Sequence, residues 1–415
     1  MNSQAPDPKK TNPASMAPAS GPATGARAGQ RGDYERLLVE AGSLRGVSLW
    51  QDAKRRLRRN RAAVVSFYFL IVIAIAAFLT PALPLQSPIK QNLKQRKFEA
   101  PSWKAVSLGI VAHRQELSEL QQRVNQAASE ERESLQQELE KRRQQDPITT
   151  LWYKPNWLTV AMVNLRVAIF GDYCLPSLCG TDSLGRDVMA RIFWGARVSL
   201  LVGVIATLVS LMIGVTYGAT AGYLGGWVDN VMMRFVDILY SIPFIFIVIY
   251  LITILSEPKI KATLEKYYIS QLVIFYFAIG AIYWLTMSRV VRGQVISLKN
   301  EQFIEAARSM GASRFRIIFR HLIPNVMGVV IVYLTLTIPA VMLFEAFLSF
   351  LGLGVTPPDV SWGLLVNEGL QVITPVKIYW WLVLFPGLAL TLTLFALNFL
   401  GDGLRDALDP RMKNR

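Results

Sequence analysis

Apolar residues fall in runs long enough to cross a bilayer, with the polar residues gathered between them. A helix needs about 20 predominantly apolar residues to span the hydrocarbon. Six stretches meet or approach that length: 62–81, 197–221, 236–256, 269–288, 326–350 and 379–400. The pattern predicts an all-α protein, a polytopic membrane bundle of six transmembrane helices. The first run begins some sixty residues into the chain, too late for a signal peptide.

Basic residues orient the bundle. Lys54, Arg55, Arg56, Arg58, Arg59 and Arg61 precede the first span, and cations flanking a span stay in the cytoplasm. Alternation then places the loop between spans four and five inside. That loop, 289–325, holds Arg289, Arg292, Lys299, Arg308, Arg314, Arg316 and Arg320. The tail 401–415 adds Arg405, Arg411, Lys413 and Arg415, so both termini are expected in the cytoplasm. The short outside loops carry only Lys259, Lys261, Lys266 and Lys377. The segment 82–196 is also basic, but long loops translocate largely regardless of charge. It reads as a large helical insertion outside the membrane, between spans one and two.

Three soluble segments stand apart from the spans. Residues 1–47 form a flexible tail, rich in Pro, Ala, Gly and Ser over its first thirty positions, and such a composition buries too little surface to fold. Over 48–61, Ser48 could cap an amphipathic helix with Leu49, Trp50, Ala53 and Leu57 on one face and cations on the other. That helix would lie along the inner membrane surface; a frayed basic tail is the alternative. In the insertion, Leu117, Leu120, Val124, Ala128, Leu135 and Leu139 predict a polar helix near 113–145. Glu131 interrupts the stripe, which argues for a helix packed on something rather than a long coiled coil. Trp152, Tyr153 and Trp157 are either a small core or an interfacial belt.

The composition is 52% hydrophobic and 18% charged, where soluble domains carry about 25% charge. A net charge of +15 raises nucleic acid as a partner, but the cations flank apolar runs and no zinc-ligand pairs or basic-aromatic platforms accompany them. Cys174 and Cys179 lie in Cys-Leu-Pro-Ser-Leu-Cys; a disulfide and two reduced thiols are both open readings. Ionisable groups inside spans default to functional hypotheses. Glu345, well inside span five, is a candidate for a pathway or subunit-interface residue, whereas Asp237 is expected to be solvated or capped. Thr181 or Asp182 could cap an outer helix. His113 and His321 fall on opposite sides of the membrane and cannot share a metal, and no serine has a His/Asp constellation. The chain reads as non-catalytic, with no metal or cofactor of its own.

The inside loop is the most specific feature. Residues 301–310 suit a short helix anchored by Phe303 and Ile304, and Gly311 is a natural stop because it tolerates positive φ. A second helix follows, with Phe315, Ile318, Phe319 and Leu322 on one side, and Pro324 precedes the next span. Such a helix–Gly–helix could dock in a groove of another protein or rest among lipid headgroups. It resembles the EAA motif of binding-protein-dependent ABC importers, in which Glu305, Ala306, Ala307, Gly311 and Pro324 match at the family spacing. His321 stands where Ile is usual and Ile323 where Leu is usual.

Other segments resemble the oligopeptide/dipeptide permease group of that family, in particular its second membrane subunit: Gly180-Thr181-Asp182-Ser183-Leu184-Gly185-Arg186-Asp187, Asp237-Ile238-Leu239-Tyr240-Ser241-Ile242-Pro243, Leu348 to Gly354, Ser361-Trp362-Gly363, and Asn398 to Asp406. The resemblance covers about 48–81 and 180–411, and nothing carries over onto the insertion.

It implies a coupling helix seated in a cleft of an ATPase, with Glu305, Ala306, Ala307, Gly311 and Pro324 as the coupling residues. No Gly-Lys pair occurs, so the phosphate loop of an ATPase is absent and ATP and Mg belong to partner subunits. The implied partners are a homologous second permease, one or two ABC ATPases, a periplasmic substrate-binding protein and the lipid bilayer. The implied location is the bacterial inner membrane and the implied cargo oligopeptides. Dipeptides, peptide antibiotics or metal complexes are alternatives, and a secondary transporter or a non-transporting membrane scaffold would be rivals of another class.

Overall fold

The computed structural model describes residues 49–408, apart from 105, 128, 145–147, 149–150, 153–154, 256, 268–270 and 358. The expected tail 1–47, Ser48, Tyr153 and the chain from Asp409 onward lie outside the described residues. Two compact units divide at Asp52, and only the start of helix α1 (Leu49–Arg59) is described in the first. In the second, Asn60 ends α1 and starts α2 (Arg61–Phe78), its Oδ1 accepting from the Ala63 N–H at 3.2 Å.

Helix α6 (Val188–Leu224), 37 residues long, is the axis of the bundle. It packs along α10 (Gln271–Leu298) more extensively than any other pair, and also against α12 (Ile323–Phe350) and α2. Close approach of α6 and α10 rests on Gly214, Gly218 and Gly222, one per turn. A Cβ at Gly218 would lie 2.2 Å from the Ser288 carbonyl oxygen, and one at Gly222 would lie 2.9 Å from that of Arg292. Small residues four apart let membrane helices touch backbone to backbone where no hydrophobic force joins them.

The third expected span, 236–256, is not one helix. Helices α7 (Gly226–Ser241) and α8 (Phe244–Leu255) meet at a bend of 77°. Pro243 supplies no N–H and disfavours helical geometry at the residue before it; Ile242 is extended, with φ −82° and ψ 123°. Among the described residues five helices are long and apolar enough to span, or six when this bent pair counts as one. Helix α9 (Pro258–Lys266) precedes α10. Helix α10 outruns the expected span 269–288, so Arg289 and Arg292 sit on it rather than in a loop. Arg289 pairs with Asp237 at 2.8 Å, and Arg292 grips both carboxylate oxygens of Asp229 at 2.5 and 2.6 Å, which lets the helix continue past its apolar part. Helices α13 (Trp362–Gln371) and α14 (Trp381–Leu408) close the bundle. Residues 401–408, expected in the tail, continue α14.

The insertion is a folded layer. Strands β1 (Val106–Ser107) and β2 (Tyr173–Cys174) pair antiparallel, Val106 opposite Cys174. The single helix expected near 113–145 is two, α3 (Ile110–Gln126) and α4 (Ser129–Gln144). They fold back on each other, with Arg142 3.4 Å from Glu116 and Arg143 donating to Gln121 at 2.8 Å. Burial falls on Val124 and Leu139, so the apolar stripe is a seam that closes only when the chain doubles back. Helix α5 (Trp157–Phe170) follows. Beneath lies a core of Leu108, Ile110, Ile148, Leu151, Trp152, Val163 and Cys174. Of the two described tryptophans in question, Trp152 is core and Trp157 is exposed.

Candidate functional site

The loop between α10 and α12 carries helix α11 (Gln302–Ser309). Ile304 and Ala307 face inward, Ile304 within a cluster of Val215, Val291, Val295, Ile317, Ile318 and Leu322. Glu305 and Ala306 face out. The helix ends in a Schellman turn: the Ala312 N–H bonds to the Ala307 carbonyl and the Gly311 N–H to that of Arg308, both at 3.0 Å. Gly311 has φ +78°. Nothing described lies within 4 Å of a Cβ built there, so the requirement for glycine is backbone geometry rather than space.

Ser313 restarts the helix, its Oγ accepting from the Arg316 N–H at 3.3 Å. The chain then winds as a π-helix over Ile317–Leu322, and the Ile323 N–H bonds five residues back to the Ile318 carbonyl. Phe315, Ile318, Phe319 and Leu322, expected on one side, are split: Ile317, Ile318 and Leu322 are buried, and Phe315 and Phe319 are exposed. The wider turn brings two adjacent isoleucines into the core together and leaves the two phenyl rings outside, 4.3 Å apart. Pro324 occupies the first turn of α12 itself rather than preceding it. The outer face of the loop thus presents Phe303, Met310, Phe315 and Phe319 beside Glu305, Arg308, Arg314, Arg316 and Arg320, an apolar and basic surface on a rigidly anchored base.

A second polar constellation sits at the other end of α6, joining Asp182 and Arg186 of the Gly180–Asp187 segment to Arg191 and Glu368, which no motif contains. Asp182 accepts from the N–H groups of Leu184 and Arg186, each at 2.9 Å. It also pairs with the side chains of Arg186 and Arg191 at 2.7 Å, and Arg191 reaches Glu368 on α13 at 2.5 Å. Neither Thr181 nor Asp182 caps a helix. Asp187 does, its Oδ2 accepting from Ala190 at 2.7 Å, while Thr181 accepts from Trp381 of α14 through its carbonyl. Burial pushes the Asp187 carboxyl up to about 6.

Glu345 is fully buried within its own chain. The Ser349 hydroxyl donates to its Oε1 at 2.7 Å; Oε2 has no partner among the described residues. Ser199 of α6 and Ser361, the cap of α13, are buried nearby: the Trp362 N–H bonds to Ser199 at 3.1 Å, and Ser361 lies 3.4 Å from Ser349. Asp237, expected to be solvated or capped, is exposed and also pairs with Arg289. The two cysteines are free thiols. Cys174 is held in the insertion core beside Arg166, and Cys179 packs with Val188 and Trp381 in another cluster. Burial raises both above the usual thiol value, Cys179 to about 12. Among the described residues no three His, Cys, Asp or Glu groups gather to hold a metal.

Residues 214–414 match the family described as binding-protein-dependent transport system inner membrane component. Residues 48–101 match the N-terminal TM domain of oligopeptide transport permease C. The chain is 38% identical to the oligopeptide transport system permease protein OppC of Haemophilus influenzae, over 90% of this chain and 92% of that protein. It is 39% identical to the OppC of Escherichia coli K12, over 91% and 94%. It is 34% identical to the dipeptide transport system permease protein DppC of Bacillus subtilis, over 90% of each.

Proposed function

Because this chain belongs to the inner-membrane components of binding-protein-dependent transport systems, in the oligopeptide and dipeptide permease group, we propose that it is a membrane-spanning subunit of an ATP-driven importer that carries oligopeptides inward. Its multi-pass inner-membrane setting follows from the family and from its membrane-length apolar helices. The observation that carries the reading is the loop around α11. Ile304 sets one side of the short helix into the buried cluster that holds Val215 of α6 and Val291 and Val295 of α10, Ala307 is also buried, and Glu305, Ala306 and the phenyl pair face outward. A force on that face is transmitted to the bundle through packed side chains rather than through a slack tether.

In this reading the loop is cytoplasmic, as are both termini, and the insertion is periplasmic. Glu305, Ala306, Ala307, Gly311 and Pro324 form the seat for an ATPase subunit. ATP and Mg bind that partner, a homologous second permease completes the passage, and a periplasmic binding protein delivers the substrate. ATP-driven closure of the ATPases moves α11, and the bundle switches between inward- and outward-facing forms. Oligopeptides are the preferred cargo over dipeptides because the oligopeptide relatives are 38% and 39% identical against 34% for the dipeptide one over similar shares, and residues 48–101 match the oligopeptide permease C domain.

The test is mild-detergent purification of the tagged chain from its native host. An ATPase and a second permease should co-purify and be lost when Glu305 and Gly311 are replaced. Recovery of the chain alone, even after cross-linking, with uptake that follows the proton gradient and ignores ATP depletion, would overturn the reading in favour of a secondary transporter.

A further inference from the structure

Helix α5 (Trp157–Phe170) presents an apolar face that no described element covers. Trp157 is 80% exposed, Leu165 56% and Ile169 63%, with Phe170 beside them. Trp157, Ala161, Leu165 and Ile169 fall four apart on one side of the helix, with the exposed Ala168 on the same side. Its single charged residue points the other way: Arg166 is fully buried, its Nη2 donating to the Tyr173 carbonyl at 3.1 Å and to Cys174 Sγ at 2.9 Å. Asn164, the polar residue on the exposed side, is held by Arg114 from α3 at 2.6 Å. The outward surface is therefore almost purely hydrocarbon, whereas the exposed surface of the neighbouring hairpin α3–α4 is almost entirely polar.

Depth in the membrane says what covers this face. Helix α5 packs on the 3-10 turn Thr80–Ala82, which directly follows the end of α2. With 18 residues, α2 is about 27 Å long, close to the roughly 30 Å hydrocarbon thickness, so its last turn marks the membrane boundary. Ile75, Phe78 and Leu79, exposed around that last turn, continue the apolar surface toward α5. With 14 residues, about 21 Å, α5 is too short to cross. Tryptophan and tyrosine favour the headgroup level, and Trp157 and the half-exposed Tyr173 stand at the two ends of this segment. We propose that α5 is an interfacial helix, its Trp157–Leu165–Ile169 face sunk in the acyl–headgroup boundary of the leaflet that α2 reaches with its C-terminal end, anchoring the insertion to lipid.

The experiment places a nitroxide at Leu165→Cys or Ile169→Cys in the full chain, with Arg132→Cys on α4 as the water-facing control. The unsubstituted chain, labelled in parallel, provides the blank for its two native thiols, Cys174 buried and Cys179 partly buried. The protein is reconstituted with its co-purifying subunits in nanodiscs of phosphatidylethanolamine and phosphatidylglycerol. Oxygen collisions at 165 and 169 are expected to exceed nickel-chelate collisions severalfold, with the reverse at 132. Nickel in excess at 165 would mean a water-facing helix, and suppression of both reagents would mean a protein cover; either overturns the proposal. A second readout leaves the face intact: brominated lipid should quench a component of the tryptophan fluorescence that disappears in Trp157→Phe. Equal quenching in the two proteins would count against lipid contact.

Discussion

Asp187 meets two opposed demands: a helix start favours an acceptor there, while burial at 3% exposure disfavours its charge. Its folded-state value of about 6 lies above the usual 3.8. Folding therefore favours the protonated form. The stabilising contribution is complete below pH 3.8, is lost as the pH rises through about 6, and costs roughly 3 kcal/mol relative to the protonated form above that, at 1.36 kcal/mol per pH unit. Asn caps equally well without a charge. Asp187→Asn should raise thermal stability at pH 7.5 and leave it unchanged at pH 4, read by melting in detergent; a gain of the same size at both pH values would refute the account. Glu345 makes a different prediction. Gln keeps its volume and its acceptor for Ser349, whereas Ala leaves a cavity among buried serines, so Glu345→Gln should melt within a few degrees of the parent and Glu345→Ala should lose about 1–3 kcal/mol. At this scale the sequence betrayed residues whose demand is local. Gly311 was legible because a left-handed turn ends a helix whatever surrounds it. The Arg191–Glu368 pair was not, because its members are 177 positions apart and no local pattern brings them together.

Helix lengths and breaks follow the same division. Apolar run length located five of the six spans within a few residues at most ends, because the bilayer imposes it. It missed the 77° bend, since the apolar run continues on both sides of Pro243 and hydropathy does not register a missing N–H. It also cut α10 short, because charged residues end a hydrophobic stretch even where Asp229 and Asp237 stand ready on α7 to pair with them. The α6–α10 seam gives the test at this scale. Gly218→Ala places a methyl group 2.2 Å from the Ser288 carbonyl, which backbone on both sides prevents from yielding. Overpacking of this kind costs about 1–3 kcal/mol. Gly218→Ala should lower the melting temperature, whereas Gly293→Ala, on α10 with nothing described within 4 Å of the new methyl, should raise it slightly or leave it unchanged through helix propensity. Equal effects at the two sites would show that the seam is looser than it looks.

At the scale of the whole molecule, a bundle of membrane-length helices carries a folded inserted layer that includes the polar hairpin α3–α4. The layer is tied in at several points: the Glu99 and Thr181 backbones bond at 2.9 Å, Trp381 donates to the Thr181 carbonyl at 3.2 Å, and Arg191 clamps Asp182 to Glu368. The hairpin α3–α4 is tied mainly to itself, through the Arg142–Glu116 and Arg143–Gln121 contacts and the Val124–Leu139 seam. Its surface-exposed ion pair contributes at most about 1 kcal/mol, so most of its stability comes from its own short seam. Exchange protection should therefore be graded, lowest in α3–α4 and highest where α6 meets α10, since opening free energy tracks buried contacts. Replacing residues 117–140 with a short Gly-Ser turn spares Leu108, Ile110, Trp152 and Cys174 beneath. Such a chain should insert, melt within a few degrees of the parent and keep slow exchange in α6 and α10. Unfolding of the inserted layer on excision, seen as loss of protection at 173–187, would show instead that the hairpin is a structural brace. If the layer survives and uptake nevertheless falls, the hairpin's role lies in contact with another protein, because nothing else about the bundle would have changed.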